Sequence, residues 1–194
     1  MIIIGLGNPK VEYEGTRHNT GRSFLMYFAK KNGFSKWEED KKLKVETSEG
    51  KIGSTKAFLV IPNTFMNRSG DAVKKLVKSK KAAAEALIVY DDLDLPLGTL
   101  KISFGRSSGG HRGVESVIKA LGTKDFPRIR IGVSPATPSG KLRKPGGEEK
   151  ILAFLLGKFT KGEEEKMAKV YKKVGDAVST IVSEGYVSAM NAHN

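Results

Sequence analysis

Three short runs in this chain are apolar without a break: Ile2-Ile3-Ile4, Phe58-Leu59-Val60-Ile61 and Ala86-Leu87-Ile88-Val89-Tyr90. A strand with one wet face alternates apolar and polar residues, whereas a continuous run needs cover on both faces. Each run ends in turn or polar residues: Gly5-Leu6-Gly7-Asn8-Pro9, Pro62-Asn63-Thr64 and Asp91-Asp92. Between the runs, apolar residues recur at helical spacing. Phe24, Leu25, Phe28 and Ala29 mark a helix from about residue 21 to 32, with Gly33 as its stop, and Val73, Leu76 and Val77 mark one from about 65 to 78. Buried strands alternating with helices predict an α/β domain, with a mixed, mostly parallel twisted sheet flanked by helices.

The rest of the chain fits one domain. Residues 34–56 mix charge, β-branched residues and turns, and read as loop plus short strands. Leu100, Ile102 and Phe104 alternate with polar residues, as do Ile129, Ile131 and Val133, and both sets predict strands. Gly105 to Gly113 is a Gly/Ser-rich loop feeding a helix to about Leu121. Residues 135–149 hold three prolines and three glycines among charges, which predicts a mobile loop. Met167, Val170, Tyr171, Val174, Ala177, Val178, Ile181 and Val182 mark a long amphipathic C-terminal helix. With 194 residues, no internal repeat and no long linker, a single domain over 1–194 is expected.

Composition narrows the chemistry. There is no cysteine, which removes disulfides, thiolate nucleophiles and Cys-based metal sites and is compatible with a reducing, cytoplasmic setting. No apolar run approaches the ~20 residues of a membrane span, and Met1 leads into a strand rather than a signal peptide. The formal charge is +13, with a pI near 9.8. Such a field attracts polyanions, though plain solubility explains it equally well.

In an open α/β sheet, ligands sit beyond the carboxyl ends of the strands. The first strand delivers Gly5, Gly7 and Asn8; the second Asn63, with Asn67 close behind; the third Asp91, Asp92 and Asp94; a later loop His111. A dinucleotide fingerprint would need a third glycine where Lys10 stands, and no Gly-Lys-Ser/Thr follows a strand as a P-loop requires. Histidines occur only at 18, 111 and 193. His18 lies among Thr16, Arg17, Asn19 and Thr20 rather than on an apolar face, which favours a helix-start or site residue over a core one. No two histidines are close in sequence, so a metal is not indicated, and Asp91, Asp92 and Asp94 read equally well as a solvated turn.

Six blocks together carry a resemblance. They are Ile4-Gly5-Leu6-Gly7-Asn8-Pro9 with Tyr13 and Thr16-Arg17-His18-Asn19; Pro62 to Gly70; Asp91 to Gly98; Gly109-Gly110-His111-Arg112-Gly113; Phe126 to Gly132; and Phe154 to Phe159. In this order, over residues 1 to about 160, they resemble bacterial peptidyl-tRNA hydrolase. The resemblance implies a cofactor-free, monomeric, cytoplasmic enzyme that cleaves the ester between a peptide and the tRNA 3′ ribose, recycling tRNA from aborted translation. It implies His18 as the general base that activates water, with Asp91 fixing its tautomer. Asn8, Tyr13, Asn67, His111 and Arg112 would hold the peptide or the acceptor end of the tRNA. Lys101 and Arg130 would clamp the tRNA 5′ phosphate.

The chain departs from the family pattern at three positions. Lys10 replaces a usual glycine, Ser103 replaces a frequent second basic residue after Lys101, and Arg112 replaces an asparagine. A guanidinium cannot accept a hydrogen bond, so the acceptor role of that asparagine is lost. Arg112 either swings to solvent, leaving only backbone donors in the Gly109–Gly113 loop, or points into the site, lowering the pKa of His18 and suiting a tRNA phosphate; the flanking Gly110 and Gly113 and a polyanionic substrate favour the second. The basic stretches Lys74-Lys75, Lys80-Lys81 and Lys141 to Lys144 offer either compensation for Ser103 or solvated faces. A catalytically dead RNA-binding relative is disfavoured by intact His18, Asp91, Asn8 and Asn67. A small-substrate hydrolase is disfavoured by the charge and by Lys101 and Arg130.

Overall fold

In the computed structural model, which describes residues 1–194, the three apolar runs become the middle of one sheet. The strands are β1 (Ile2–Gly5), β2 (Glu38–Asp40), β3 (Val45–Ile52), β4 (Thr55–Pro62), β5 (Ala86–Pro96), β6 (Leu100–Phe104) and β7 (Pro127–Ser134). They lie in the order β2-β3-β4-β1-β5-β7-β6. The central pairs β4–β1, β1–β5 and β5–β7 are parallel. The outer pairs β2–β3, β3–β4 and β6–β7 are antiparallel.

The sheet is therefore mixed, and the expectation of a mostly parallel one holds only for its middle. The local reason lies in residues 34–56. Ile52 pairs with Thr55 across Gly53-Ser54, a two-residue hairpin that forces β3 to return antiparallel to β4.

Alternate residues of the central strands enter two separate cores, which explains the unbroken apolar runs. Ile3, Leu87 and Val89 face α1 (Thr20–Lys31) and α6 (Lys161–Glu184), meeting Phe24, Leu25, Phe28, Val170 and Val174. Ile4, Ile88 and Tyr90 face the layer of α2 (Ser69–Leu76), α3 (Lys80–Ala84) and α4 (Arg112–Leu121), meeting Val73, Val114 and Val117.

The expected C-terminal helix is α6, opened by a capping box in which Thr160 and Glu163 bond each other's backbone. Gly185 ends it and α7 (Tyr186–His193) follows. The terminal Asn194 side chain then bonds the Ile102 amide at 2.7 Å and carbonyl at 3.1 Å, covering part of the open edge of β6.

Three details depart from the sequence reading. The helix expected over about 65–78 is a 3₁₀ turn (Met66–Arg68) leading into α2. The third strand does not end at Asp91-Asp92; it continues to Pro96, because Asp91 and Asp92 pair with Ile131 and Gly132 of β7. Helix α5 (Glu148–Leu156) grows out of the end of the proline/glycine-rich segment.

One close approach fixes the front of the fold. A Cβ at Gly21 would lie 2.2 Å from the Val89 carbonyl oxygen and 2.8 Å from the Leu6 amide nitrogen. Arg22 N–H donates to the Leu6 carbonyl at 2.9 Å, and Leu6 N–H to the Val89 carbonyl at 3.0 Å. The first turn of α1 is thereby pressed against the end of β1 and against β5 at Val89. Gly21→Ala should destabilise the protein by about 1–3 kcal/mol or more, because backbone on both sides must move. Denaturant unfolding measures this, and an unchanged midpoint would contradict such tight docking.

Candidate active site

Asp91, Asp92 and Leu93, midway along β5, open into a cavity of about 410 Å³, walled also by His18, His111, Arg112 and Glu148 and by Ile151, Leu152 and Leu155 of α5. His18 sits in a 3₁₀ turn (Arg17–Asn19) immediately before α1. Side chains hold this turn in place. Thr16 donates to the Tyr13 carbonyl at 2.8 Å and Thr20 to the Arg17 carbonyl at 2.7 Å. Arg17 is largely buried, donates to the carbonyls of Gly157 (3.2 Å) and Lys158 (3.1 Å), and grips both oxygens of Glu163 at 3.1 and 2.8 Å. Its guanidinium lies 4.3 Å from the Phe154 ring centroid. Arg17 thus ties the His18 turn to α5 and α6, a role its place in the sequence did not disclose.

Asn19 locks the neighbouring turn. Its Oδ1 accepts from the Asn8 amide at 2.7 Å and its Nδ2 donates to the Asn8 carbonyl at 3.0 Å. The Asn8 side chain accepts in turn from the Met66 amide at 2.8 Å. Its Oδ1 is thus engaged and its Nδ2 is left as a donor.

The centre of the site is Asp91, 1% exposed. His18 Nδ1 lies 3.1 and 3.0 Å from its two oxygens. On the other side, His111 Nε2 lies 3.1 Å from Oδ1. The rings of the two histidines are 4.9 Å apart. The Val114 amide donates to His111 Nδ1 at 3.2 Å, since His111 is the N-cap of α4. His111 Nδ1 is therefore unprotonated and its Nε2–H points at Asp91. His18 likewise donates through Nδ1, leaving Nε2, which no protein group bonds, as the basic nitrogen of a ring that lines the cavity.

These contacts set the proton affinities. Burial disfavours the charged form of His18, but the charge and hydrogen bond of Asp91 together outweigh it, so its pKa is raised; Arg112 pulls it down. Burial also works against ionised Asp91, yet the two imidazoles hold it well below the usual carboxylate range. His18, Asp91 and His111 also present donor atoms within 4.8 Å of one another, as a metal site would. The arrangement does not fit a metal, because the Val114 amide commits His111 Nε2 to carrying a proton.

The remaining expected residues are distributed as follows. Arg112 opens α4 and pairs with Glu148 at the start of α5, so it stands half-exposed on the cavity rim rather than deep inside. Asn67 is exposed in the 3₁₀ turn after β4, and no hydrogen bond holds its side chain. Tyr13 packs edge-on against Phe65 at 6.4 Å.

Lys101 and Arg130 are direct partners across β6–β7 and share a depression of about 450 Å³ that adjoins the cavity through Asp92, Ser108 and Gly109. Asp92 takes Arg130 Nε at 2.6 Å, while Asp94 pairs with Lys144, so the three aspartates have three separate jobs. Ser103 is buried and its hydroxyl has no partner. Arg106, exposed in the same depression, is a cation that the sequence reading passed over.

The comparisons agree over the whole chain. A family model for peptidyl-tRNA hydrolase matches residues 2–194. The peptidyl-tRNA hydrolase of Chloroflexus aggregans is 39% identical over 195 residues, spanning 100% of this chain and 98% of that one. That of Alkaliphilus oremlandii is 41% identical over 196 residues, with the same two shares. The crystal structure of peptidyl-tRNA hydrolase from Acinetobacter baumannii matches with a TM-score of 0.87 at 33% identity, covering 100% of this chain and 93% of that one. With sequence and fold agreeing from end to end, the chain belongs to the peptidyl-tRNA hydrolase family.

Proposed function

We propose that this enzyme cleaves the ester between peptide and tRNA with His18 as general base and Asp91 as its orienting partner. The observation that carries this reading is the His18 ring itself: Nδ1 is bonded to a buried carboxylate, and the ring lines the cavity with an Nε2 that no protein group bonds. In the reaction, Nε2 takes a proton from water as the oxygen attacks the ester carbonyl. Charge develops on the carbonyl oxygen, where the Nδ2 donors of Asn8 and Asn67 are suited to receive it. The imidazolium, stabilised by Asp91, then passes its proton to the departing ribose oxygen.

His111 holds the second side of Asp91. We assign Tyr13, Asn67 and Arg112 to substrate binding on the family resemblance; of the three, Arg112 lines the His18 cavity, while Tyr13 and Asn67 lie outside its walls. Lys101 and Arg130, with Arg106 beside them, receive the terminal phosphate at the acceptor end. Asp92 neutralises part of the Arg130 charge and aims its remaining N–H groups. We place the reaction in the cytoplasm, on a monomer, without a cofactor, as the family resemblance implies. No helix of the chain is long and apolar enough to cross a membrane.

His18→Ala should lower the rate of tRNA release from a peptidyl-tRNA by about 10²–10⁴-fold while the protein stays folded. Asp91→Asn should cost less, since the base survives without its orienting charge. A folded His18→Ala enzyme with near-normal turnover would overturn the assignment.

The pH profile gives a second test. A base with a raised pKa loses activity as pH falls through that value, which moves the acid limb upward from the ordinary histidine value. Arg112 opposes the rise, so Arg112→Asn should move the acid limb to higher pH and weaken tRNA binding. An unmoved limb with unchanged affinity would make Arg112 a bystander on the rim.

A further inference from the structure

A second cavity, about 540 Å³, opens where β4 and β1 end, and it is walled by Lys10, Lys44, Arg68, Lys74 and Lys75 against the one acid Asp71. Asp71 is already shared between Arg68 at 2.9 Å and Lys74 at 4.0 Å. Lys75 donates to the Lys42 carbonyl at 2.7 Å. Lys10 and Lys44 have no carboxylate partner, and Lys10 Nζ instead hangs 5.6 Å from the Phe65 ring centroid.

The backbone gives a second, independent observation. Only two non-glycine residues in the chain adopt positive φ, and they are Lys10 at 81° and Lys44 at 60°. With ψ at 148°, Lys10 occupies a region that is essentially reserved for glycine. The chain therefore holds two lysines in backbone conformations that glycine would accept without strain, and both face one cavity. Strain of this kind gathers at sites that use it.

The order of the sheet indicates which anion arrives there. The Lys101/Arg130 depression lies at β6–β7, the His18 cavity at β5, and this third hollow beyond the ends of β1 and β4, at Pro9 and Asn63. The proposed function puts the tRNA end at β6–β7 and the ester at His18, which leaves the hollow at β4–β1 for the peptide. Phe65, half-exposed, offers a wall for the apolar part of a side chain. We propose that this cavity is a subsite for acidic side chains of the peptide being released, making the enzyme faster on acidic than on basic peptides. The proposal rests on the reading of His18 as the reaction centre.

The test uses the full chain and one tRNA charged with peptides of equal length, with Glu or Lys scanned along the positions upstream of the ester. At low salt, kcat/KM should favour the best-placed Glu over Lys by about 3–10-fold, the size of one or two exposed ion pairs. The ratio should shrink as salt screens it. Lys10→Gly with Lys44→Gly should bring the ratio near one, in a protein at least as stable as the native chain, because glycine suits both backbones. Equal rates on Glu and Lys peptides in the native enzyme would overturn the proposal. So would a double variant that slows every peptidyl-tRNA alike, which would assign the cavity to the RNA backbone.

Fluorescence anisotropy of a labelled Glu-containing peptide, beside its Lys counterpart, reads the subsite without catalysis. Preferential binding lost in the double variant supports the proposal and no preference overturns it, whereas near-normal turnover by folded His18→Ala fails the His18 reading instead.

Discussion

A single buried carboxylate organises the functional end of this molecule. An ionised carboxylate removed from water and left unpaired would be strongly unfavourable. Asp91 is kept ionised because two imidazoles converge on it from separate elements, His18 from the turn before α1 and His111 from the cap of α4. That convergence requires β5 to stand between β1 and β7 and to continue past Asp91. It also requires α1 to sit against β1 and β5, which the bare Cα of Gly21 permits. Arg17 and Asn19, on either side of His18, remove the remaining freedom of the turn. The base is thus aimed by the whole parallel core rather than by a flexible loop.

The same electrostatics set stability against activity. Asp91 has a depressed pKa, so its stabilising contribution is present above the unfolded carboxylate value and is lost as pH falls through the folded one. His18 has a raised pKa, so its contribution is fully present below the unfolded histidine value and is lost as pH rises through the folded one. The pair therefore stabilises the fold most when His18 is charged, which is the form that cannot act as a base. Arg112 shifts that balance towards the neutral imidazole, at the rim and in competition with Glu148.

Much of the centre of the fold was legible in the sequence, because burial on both faces leaves unbroken apolar runs. The outer sheet was less so. β3 is half-exposed and carries Glu46, Ser48, Glu49 and Lys51, so its pattern resembles loop until the Gly53-Ser54 hairpin pairs it with β4. Short elements such as α3, five residues long, have too few turns to show a period. At the site, the residues at the strand ends were visible, and the family resemblance supplied their roles. Asp91, Asp92 and Asp94 are equivalent as letters; only burial and their separate partners tell them apart. The second histidine on Asp91, the tether through Arg17 and the apolar wall of α5 depend on contacts made across the chain, which local pattern does not encode.

The central claim is that Asp91 holds His18 with its proton on Nδ1 and an unprotonated Nε2 open to the cavity. Nitrogen-15 NMR of histidine-labelled protein, recorded above the His18 pKa, reads this directly. The account predicts a protonated Nδ1 and an unprotonated Nε2 for His18, with the opposite tautomer for His111. A His18 proton found on Nε2 would leave no base facing the substrate and would contradict it.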